Sequence, residues 1–321
     1  MTRNVTWDRG ICLFEHNLWL DPGVVKERAF VSHAHTDHAR RHQTALLTEA
    51  TLGLLPEARR PRSSRVLAVG VPVTLGEATV TLHDAGHMLG AAQILFEHAG
   101  ERLLYTGDLK LRHEDAAART AIPAAEVLVV ESTYGRPQFR FPEPGAVVEA
   151  IAAWCRRALA DGVVPVLLAH AVGKTQELML ALAPYGFHFA LEERCVPHAT
   201  AYERLGVTLP EWIPLDDAVG DRVVVAPPAG KDAIRRIYRY RTALVSGWAE
   251  DPGFRRVFGA DHAFPYSDHC DFQDLLEVVE LTGADQVYTV HGFTTDLAAQ
   301  LRRRGVRAYA LEQTEQLTLA L

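Results

Sequence analysis

The chain has little of what would place it outside the ordinary globular class. No apolar run in its 321 residues is long enough to span a bilayer, and the start Met1-Thr2-Arg3-Asn4 lacks the apolar core of a secretion signal, so a cytoplasmic protein is expected. Cysteine is scarce. Cys12, Cys155, Cys195 and Cys270 form no Cys-x-x-Cys pair, which argues against a disulfide framework and against a thiolate zinc site. Positive charge is not in excess either: a formal net charge of −7 argues against a protein that coats nucleic acid electrostatically, but not against an enzyme whose bound metals carry local positive charge. There is no internal repeat and no low-complexity segment. A composition of 48% hydrophobic and 23% charged residues can bury a full core in one large domain or one and a half.

Histidine, by contrast, is plentiful, and four residues of metal-ligand type crowd into Ser32-His33-Ala34-His35-Thr36-Asp37-His38. The preceding Ala29-Phe30-Val31 reads as a strand running into this loop. An extended backbone sends alternate side chains the same way, so His33 and His35 can converge on one ion. Asp37 and His38 fall where a helix over Ala39-Arg40-Arg41-His42 is expected, and their carboxylate and imidazole suit a second ion beside the first. Two more candidate ligands, His87 after Gly86 and Asp108 after Gly107, end predicted strands, where glycine lets the backbone bend toward a metal. Asp21 ends a predicted hairpin (Ile11 to Phe14, Leu18 to Leu20). It reads either as a turn residue before Pro22 or as a carboxylate orienting a metal-bound histidine.

The first part of the chain is rich in strands. After the Pro-rich link at Pro137, Pro142 and Pro144, helices and strands alternate as in a parallel α/β unit, and a second lobe is expected to begin there. Within it, His170-Ala171-Val172-Gly173-Lys174 is a turn opening a helix, where Lys174 is a candidate phosphate contact, although the spacing is not that of a Walker loop. The run Lys231 to Arg241, containing Arg239, Tyr238 and Tyr240, reads either as a solvated face or as a surface that tracks a nucleic-acid backbone. His42 is expected at the surface.

The series Asp21, His33-x-His35-x-Asp37-His38, His87, Asp108 resembles the motif set of the metallo-β-lactamase superfamily. The resemblance implies an α/β fold, an αββα sandwich with a dinuclear site at one edge: His33, His35 and His87 on one ion, Asp37 and His38 on the other, and Asp108 bridging both. Glu131-Ser132-Thr133-Tyr134-Gly135, Ser267-Asp268-His269-Cys270-Asp271-Phe272 and Val290-His291-Gly292 resemble three further motifs of the β-CASP nucleases, whose cap is inserted in that fold. Ala171 to Leu178 is similar to the start of the cap. The implied layout is a first part of the sandwich over 1–136, a shortened cap over 137–263 and the rest of the sandwich over 264–321. Within the group the chain looks most like the bacterial DNA-ligase-associated exonucleases. Cross-link-repair members usually carry valine where this chain has His291; a histidine there is the type seen in RNA-acting members and also in the ligase-associated branch.

These residues imply a phosphodiesterase in which a hydroxide held by two divalent ions attacks phosphorus. Nitrogen and carboxylate donors without thiolate suit zinc first and manganese second. His291 is assigned to the ion of Asp37 and His38. His269 is the candidate proton donor to the departing oxygen, with Glu131 orienting it; Lys174, Ser267 and Arg239 are candidate substrate contacts. The leading expectation is an exonuclease acting on single-stranded DNA or DNA ends in repair, with a ligase or helicase as the implied partner and no membrane association. A ribonuclease, a small-molecule thioester or lactone hydrolase, and a non-catalytic scaffold are the alternatives.

Overall fold

The computed structural model describes residues 5–7, 10–13, 16–113, 120–216 and 219–311. The chain divides into two compact units, one drawn from Met1–Arg112, Arg119–Arg140 and His269–Ala320, the other chiefly from Phe141–Asp268. Both are mixed α/β.

In the first unit two sheets share one core. The six-stranded sheet runs in chain order from Val5–Trp7 to Ser63–Val66. It is antiparallel through Leu18–Leu20 and parallel thereafter. The seven-stranded sheet has the strands Val73–Leu75, Ala78–Asp84, Ala92–His98 and Glu101–Tyr105 as an antiparallel meander. Val127–Ser132, Gln286–Gly292 and Arg307–Ala310 then add to it in parallel. Alternate apolar side chains turn inward from both sheets: Leu20, Phe30 and Leu46 from the first meet Leu82, Ile94, Tyr105 and Val129 from the second. Each fully buried side chain of this kind contributes roughly 1.5–3 kcal/mol. Helices Phe272–Thr282 and Thr294–Arg303 pack on the second sheet.

The second unit is a six-stranded sheet whose paired strands are all parallel. From one edge to the other its strands are Trp212–Pro214, Phe189–Leu191, Val223–Ala226, Val164–Leu168, Tyr240–Val245 and His262–Phe264. Helix Pro144–Ala160 presents Val147, Val148, Ile151, Ala152, Cys155 and Ala158 as one buried stripe at helical spacing. Val166, Leu168, Val224 and Leu244 form the centre of this unit's own core.

One local expectation fails. Residues 39–42 are not helical: a single turn at Thr36 to His38 closes with the amides of His38 and Ala39 on the His35 carbonyl. Arg40 then ties the chain down through the carbonyls of Thr36, Ala39 and Gly23. Those carbonyls are thereby withdrawn from helix propagation. His42, expected at the surface, is fully buried, with its Nδ1 accepting the amide of Lys26 at 3.2 Å. No helix among the described residues is long and apolar enough to cross a membrane.

Candidate metal centre

All ten residues that the sequence nominates as metal ligands or their immediate partners lie in the first unit, at the ends of strands and in the loops that follow them. Asp21 ends strand Leu18–Leu20, with its amide on the Phe30 carbonyl at 3.0 Å and an uncommon positive φ of 41°. There its carboxylate is buried and fully used. Oδ1 accepts the Ser32 amide at 2.8 Å. Oδ2 accepts the Ser32 hydroxyl and the Tyr105 hydroxyl and lies 2.9 Å from His38 Nδ1.

His33 Nδ1 is 2.9 Å from the same Ser32 hydroxyl, so its Nε2 is the nitrogen left to face inward. His33 Nε2 and His87 Nε2 each lie 3.1 Å from His35 Nδ1. Asp108 Oδ2 lies 3.4 Å from His33 Nε2 and 3.8 Å from His87 Nε2. His33 and His35 come together from the bend that follows strand Arg28–Phe30 rather than from a strand, and the two rings present different nitrogens. His87 is held by the turn in which the Gly86 amide donates to Asp84 Oδ1 at 2.9 Å and by Gly90, whose carbonyl accepts the hydroxyls of Thr48 and Thr51.

Asp108 Oδ2 is also 3.4 Å from His38 Nε2, which in turn is 3.7 Å from Asp37 Oδ2. His291 lies beside His38, its ring centroid 4.9 Å from that of His38. It sits at a bulge, where the register between Val127–Ser132 and Gln286–Gly292 slips, and has a positive φ of 56°. Its Nε2 is buried with no hydrogen-bond partner among the described residues.

Beside these groups, His269 Nδ1 lies 3.0 and 3.1 Å from the two oxygens of Glu131. Glu131 is fully buried and also accepts the amide of Leu109 at 2.7 Å. The amide of Cys270 donates to the Leu109 carbonyl at 2.7 Å, so the residue after Asp108 ties Asp108, Glu131 and His269 together. Ser32, Tyr105 and Leu109 are the participants that the motif reading missed. Only Tyr105 left a signal, since a buried tyrosine needs a partner for its hydroxyl.

The residues fit a divalent ion. A tetrahedral ion with bonds of about 2.0–2.1 Å to nitrogen sets its donors about 3.3–3.4 Å apart, close to the separations among His33, His35, His87 and Asp108. The orphaned, buried Nε2 of His291, whose ring lies beside that of His38, is a second signal of a missing partner. All four cysteines are buried, and none is in a disulfide.

The electrostatics agree. Burial, and then the neighbouring imidazoles, hold His33 well below its ordinary pKa, and burial with His38 pushes His291 down to about 4. Burial alone would raise Asp37, but His38 and His35 hold it far below the usual range. Burial raises Asp108 to about 7, with Glu131 and Asp37 adding to that against His38 and His269. Burial would lower His38, but Asp108, Asp37 and Asp21 raise it well above its ordinary value. His33 and His291, held neutral, lie among carboxylates in a cluster that a cation would satisfy.

No protein-family profile matches the chain. It is 40% identical over 329 residues to a protein of Opitutus terrae named probable DNA ligase, across 100% of this chain and 32% of that one. It is 31% identical over 186 residues to the endoribonuclease YSH1 of Gibberella zeae, across 56% of this chain and 20% of that one. The chain belongs to the β-CASP nuclease group of the metallo-β-lactamase superfamily. It spans about a third of the length of the first of these relatives and a fifth of the second. A crystal structure of a protein of unknown function from Enterococcus faecalis V583 has the same fold, with a TM-score of 0.59 at 16% identity over 90% of this chain and 80% of that one.

The three candidate substrate contacts lie in the second unit. Lys174 opens helix Lys174–Leu182 and is buried, its Nζ 2.8 Å from Glu177 Oε2, 3.4 Å from Asp268 Oδ1 and 4.7 Å from the centroid of the Tyr266 ring. Ser267 is buried and Arg239 is exposed.

Proposed function

We propose that this chain is a metal-dependent phosphodiesterase that shortens single-stranded DNA or DNA ends during repair, built as an αββα sandwich over 1–136 and 264–321 with a short cap over 137–263. The observation that carries the reading is the position of Asp108 Oδ2, within 3.8 Å of His33, His38 and His87, beside the Glu131–His269 pair. His33, His35 and His87 would hold one divalent ion, Asp37, His38 and His291 a second, and Asp108 both, with zinc the first choice and manganese the second. Two such ions polarise a phosphoryl oxygen, lower the pKa of water and neutralise charge on the departing group.

The protein's own part is orientation and proton transfer. Asp21 accepts from His38 Nδ1 and Ser32 accepts from His33 Nδ1, which fixes both tautomers with Nε2 lone pairs inward. Burial would raise the Glu131 carboxyl, but the charge and hydrogen bond of His269, the side-chain hydroxyl of Thr133 and the amide of Leu109 keep it below its ordinary value. The ionised Glu131 holds His269 Nδ1–H and leaves Nε2–H to protonate the oxygen that departs as the P–O bond to it breaks. Lys174, Ser267 and Arg239 are the candidate substrate contacts of the cap.

The DNA reading is supported by similarity, along the whole of this chain, to about a third of a protein named probable DNA ligase. A ribonuclease is the second reading, favoured by His291 and by similarity to a named endoribonuclease. End-labelled single strands of DNA and of RNA, digested with zinc and with manganese, separate the two. Loss of the DNA label with RNA intact is expected; digestion of RNA alone overturns the first reading, and moving the label between ends gives polarity.

A further inference from the structure

The second unit carries a cavity of about 330 Å³ at the amino-terminal edge of its parallel sheet. Its lining residues Val164, Val219 and Arg239 lie at or just before the starts of three adjacent strands, Val164–Leu168, Val223–Ala226 and Tyr240–Val245. The turn that carries Lys174 leaves the carboxyl end of the strand Val164–Leu168, so the cavity and that turn are at opposite edges of the sheet.

Part of its wall is apolar, from Val164, Leu215, Val219 and Ile237, and its volume is in the range that takes a small planar ligand. Its rim is basic. Of the four arginines between residues 235 and 241, Arg235 is paired with Asp232 and Arg241 with Asp161. The two that line the cavity, Arg236 and Arg239, are the two with no carboxylate partner among the described residues. Asp216 is the one carboxylate in the lining, so the charge there remains positive. Tyr238, between the two arginines, also lines the cavity and has 96% of its surface exposed.

We propose that this cavity holds one nucleotide of a single-stranded nucleic acid, with the base against the apolar wall and Tyr238, and the flanking phosphates on Arg236 and Arg239. An apolar slot, an exposed aromatic ring and two uncompensated guanidiniums are together the elements that bind single strands without reading sequence. The choice of a strand, rather than a free nucleotide, rests on the nuclease reading.

Binding of a fluorescent oligothymidylate to the full chain, followed by anisotropy in EDTA so that nothing is cleaved, tests the site. Arg236→Ala/Arg239→Ala is expected to weaken binding at least tenfold and to reduce the slope of log K against log[salt] by about 1.4, roughly 0.7 for each phosphate no longer neutralised. Tyr238→Ala is expected to weaken binding several-fold with the slope unchanged, and Tyr238→Phe to restore it. All three positions are exposed, so the variants keep the fold. Wild-type affinity and slope in the double arginine variant overturn the proposal, as does an equal loss in Arg235→Ala/Arg241→Ala. Displacement of the strand by micromolar thymidine monophosphate overturns it in favour of a free nucleotide. The nuclease reading is scored separately: a wild-type chain that binds through these residues but cleaves neither DNA nor RNA fails that reading and leaves the cavity assignment standing.

Discussion

Asp21 Oδ2 lies 2.9 Å from His38 Nδ1, and the same oxygen takes the hydroxyls of Ser32 and Tyr105. One buried carboxylate at the end of a strand therefore sets the orientation of His38 directly and of His33 through Ser32.

Asp21→Asn keeps the shape and tolerates the positive φ, but replaces a charge-assisted acceptor by a neutral amide. Metal affinity is expected to fall about 10- to 100-fold, the usual cost of losing a group that orients a ligand. A competition titration against a chromogenic chelator measures this, with circular dichroism to show an intact fold. Unchanged affinity would remove Asp21 from the metal centre.

Loading the site is expected to release protons. Without metal, His38 is raised well above its ordinary value by Asp108, Asp37 and Asp21 against its burial, and Asp108 is raised to about 7 chiefly by burial. Both must be deprotonated to bind a cation, so metal affinity rises with pH across neutrality. Calorimetric titration of zinc into the metal-free protein, in buffers of different ionisation enthalpy, counts the protons; zero release contradicts the assignment of these two groups.

Removing the proton donor and removing its anchor should act as one lesion. His269→Ala and Glu131→Gln are each expected to lower kcat by about 10²–10⁴ with little change in bound metal. The double variant should be little worse than either single one, because the two residues serve one proton transfer. Losses that multiply would mean that Glu131 and His269 serve separate purposes.

The candidate metal centre was legible where its parts are close in sequence or marked by glycine. His33, His35, Asp37 and His38 fall within six residues, and His87 and Asp108 each follow a glycine that ends a strand. The bulge that aims His291 was not legible, because it depends on Ser132, whose hydroxyl reaches the Val290 carbonyl across 158 residues. Nor was the Tyr105 contact with Asp21, 84 residues apart, or the burial of His42. The three-residue strands Phe189–Leu191 and Trp212–Pro214 are too short to show a period of their own and exist through parallel pairing with their neighbours.

His42 makes the protein sensitive to acid. Burial, ahead of its other surroundings, pushes its pKa down from 6.5 to about 4, so the folded protein keeps it neutral. The unfolded chain binds a proton there sooner, and this group's contribution to stability is complete above pH 6.5 and is lost as pH falls toward about 4. His42→Gln retains an acceptor for the Lys26 amide without the titration. Urea midpoints measured across this interval should fall less steeply in the variant; parallel curves would show that His42 does not contribute.

Gly107 couples the stability of the fold to the position of Asp108. Its φ is +56°, and a Cβ there would lie 2.6 Å from Ser32 Cβ and 2.8 Å from Ser32 Oγ. Gly107→Ala therefore meets both a backbone penalty and a clash with the side chain that links Asp21 to His33. A loss of about 2 kcal/mol or more is expected, since left-handed backbone alone costs about 1–2 kcal/mol in a residue with a Cβ. Gly76→Ala separates the two terms, because Gly76 has φ +64° and nothing within 4 Å of the added Cβ. It should show only the backbone penalty, with metal affinity unchanged, whereas Gly107→Ala should lose stability and metal affinity together. Equal losses in the two variants, with metal affinity intact in both, would show that Ser32 moves aside freely and that the Asp21–Ser32–His33 chain does not constrain the metal centre.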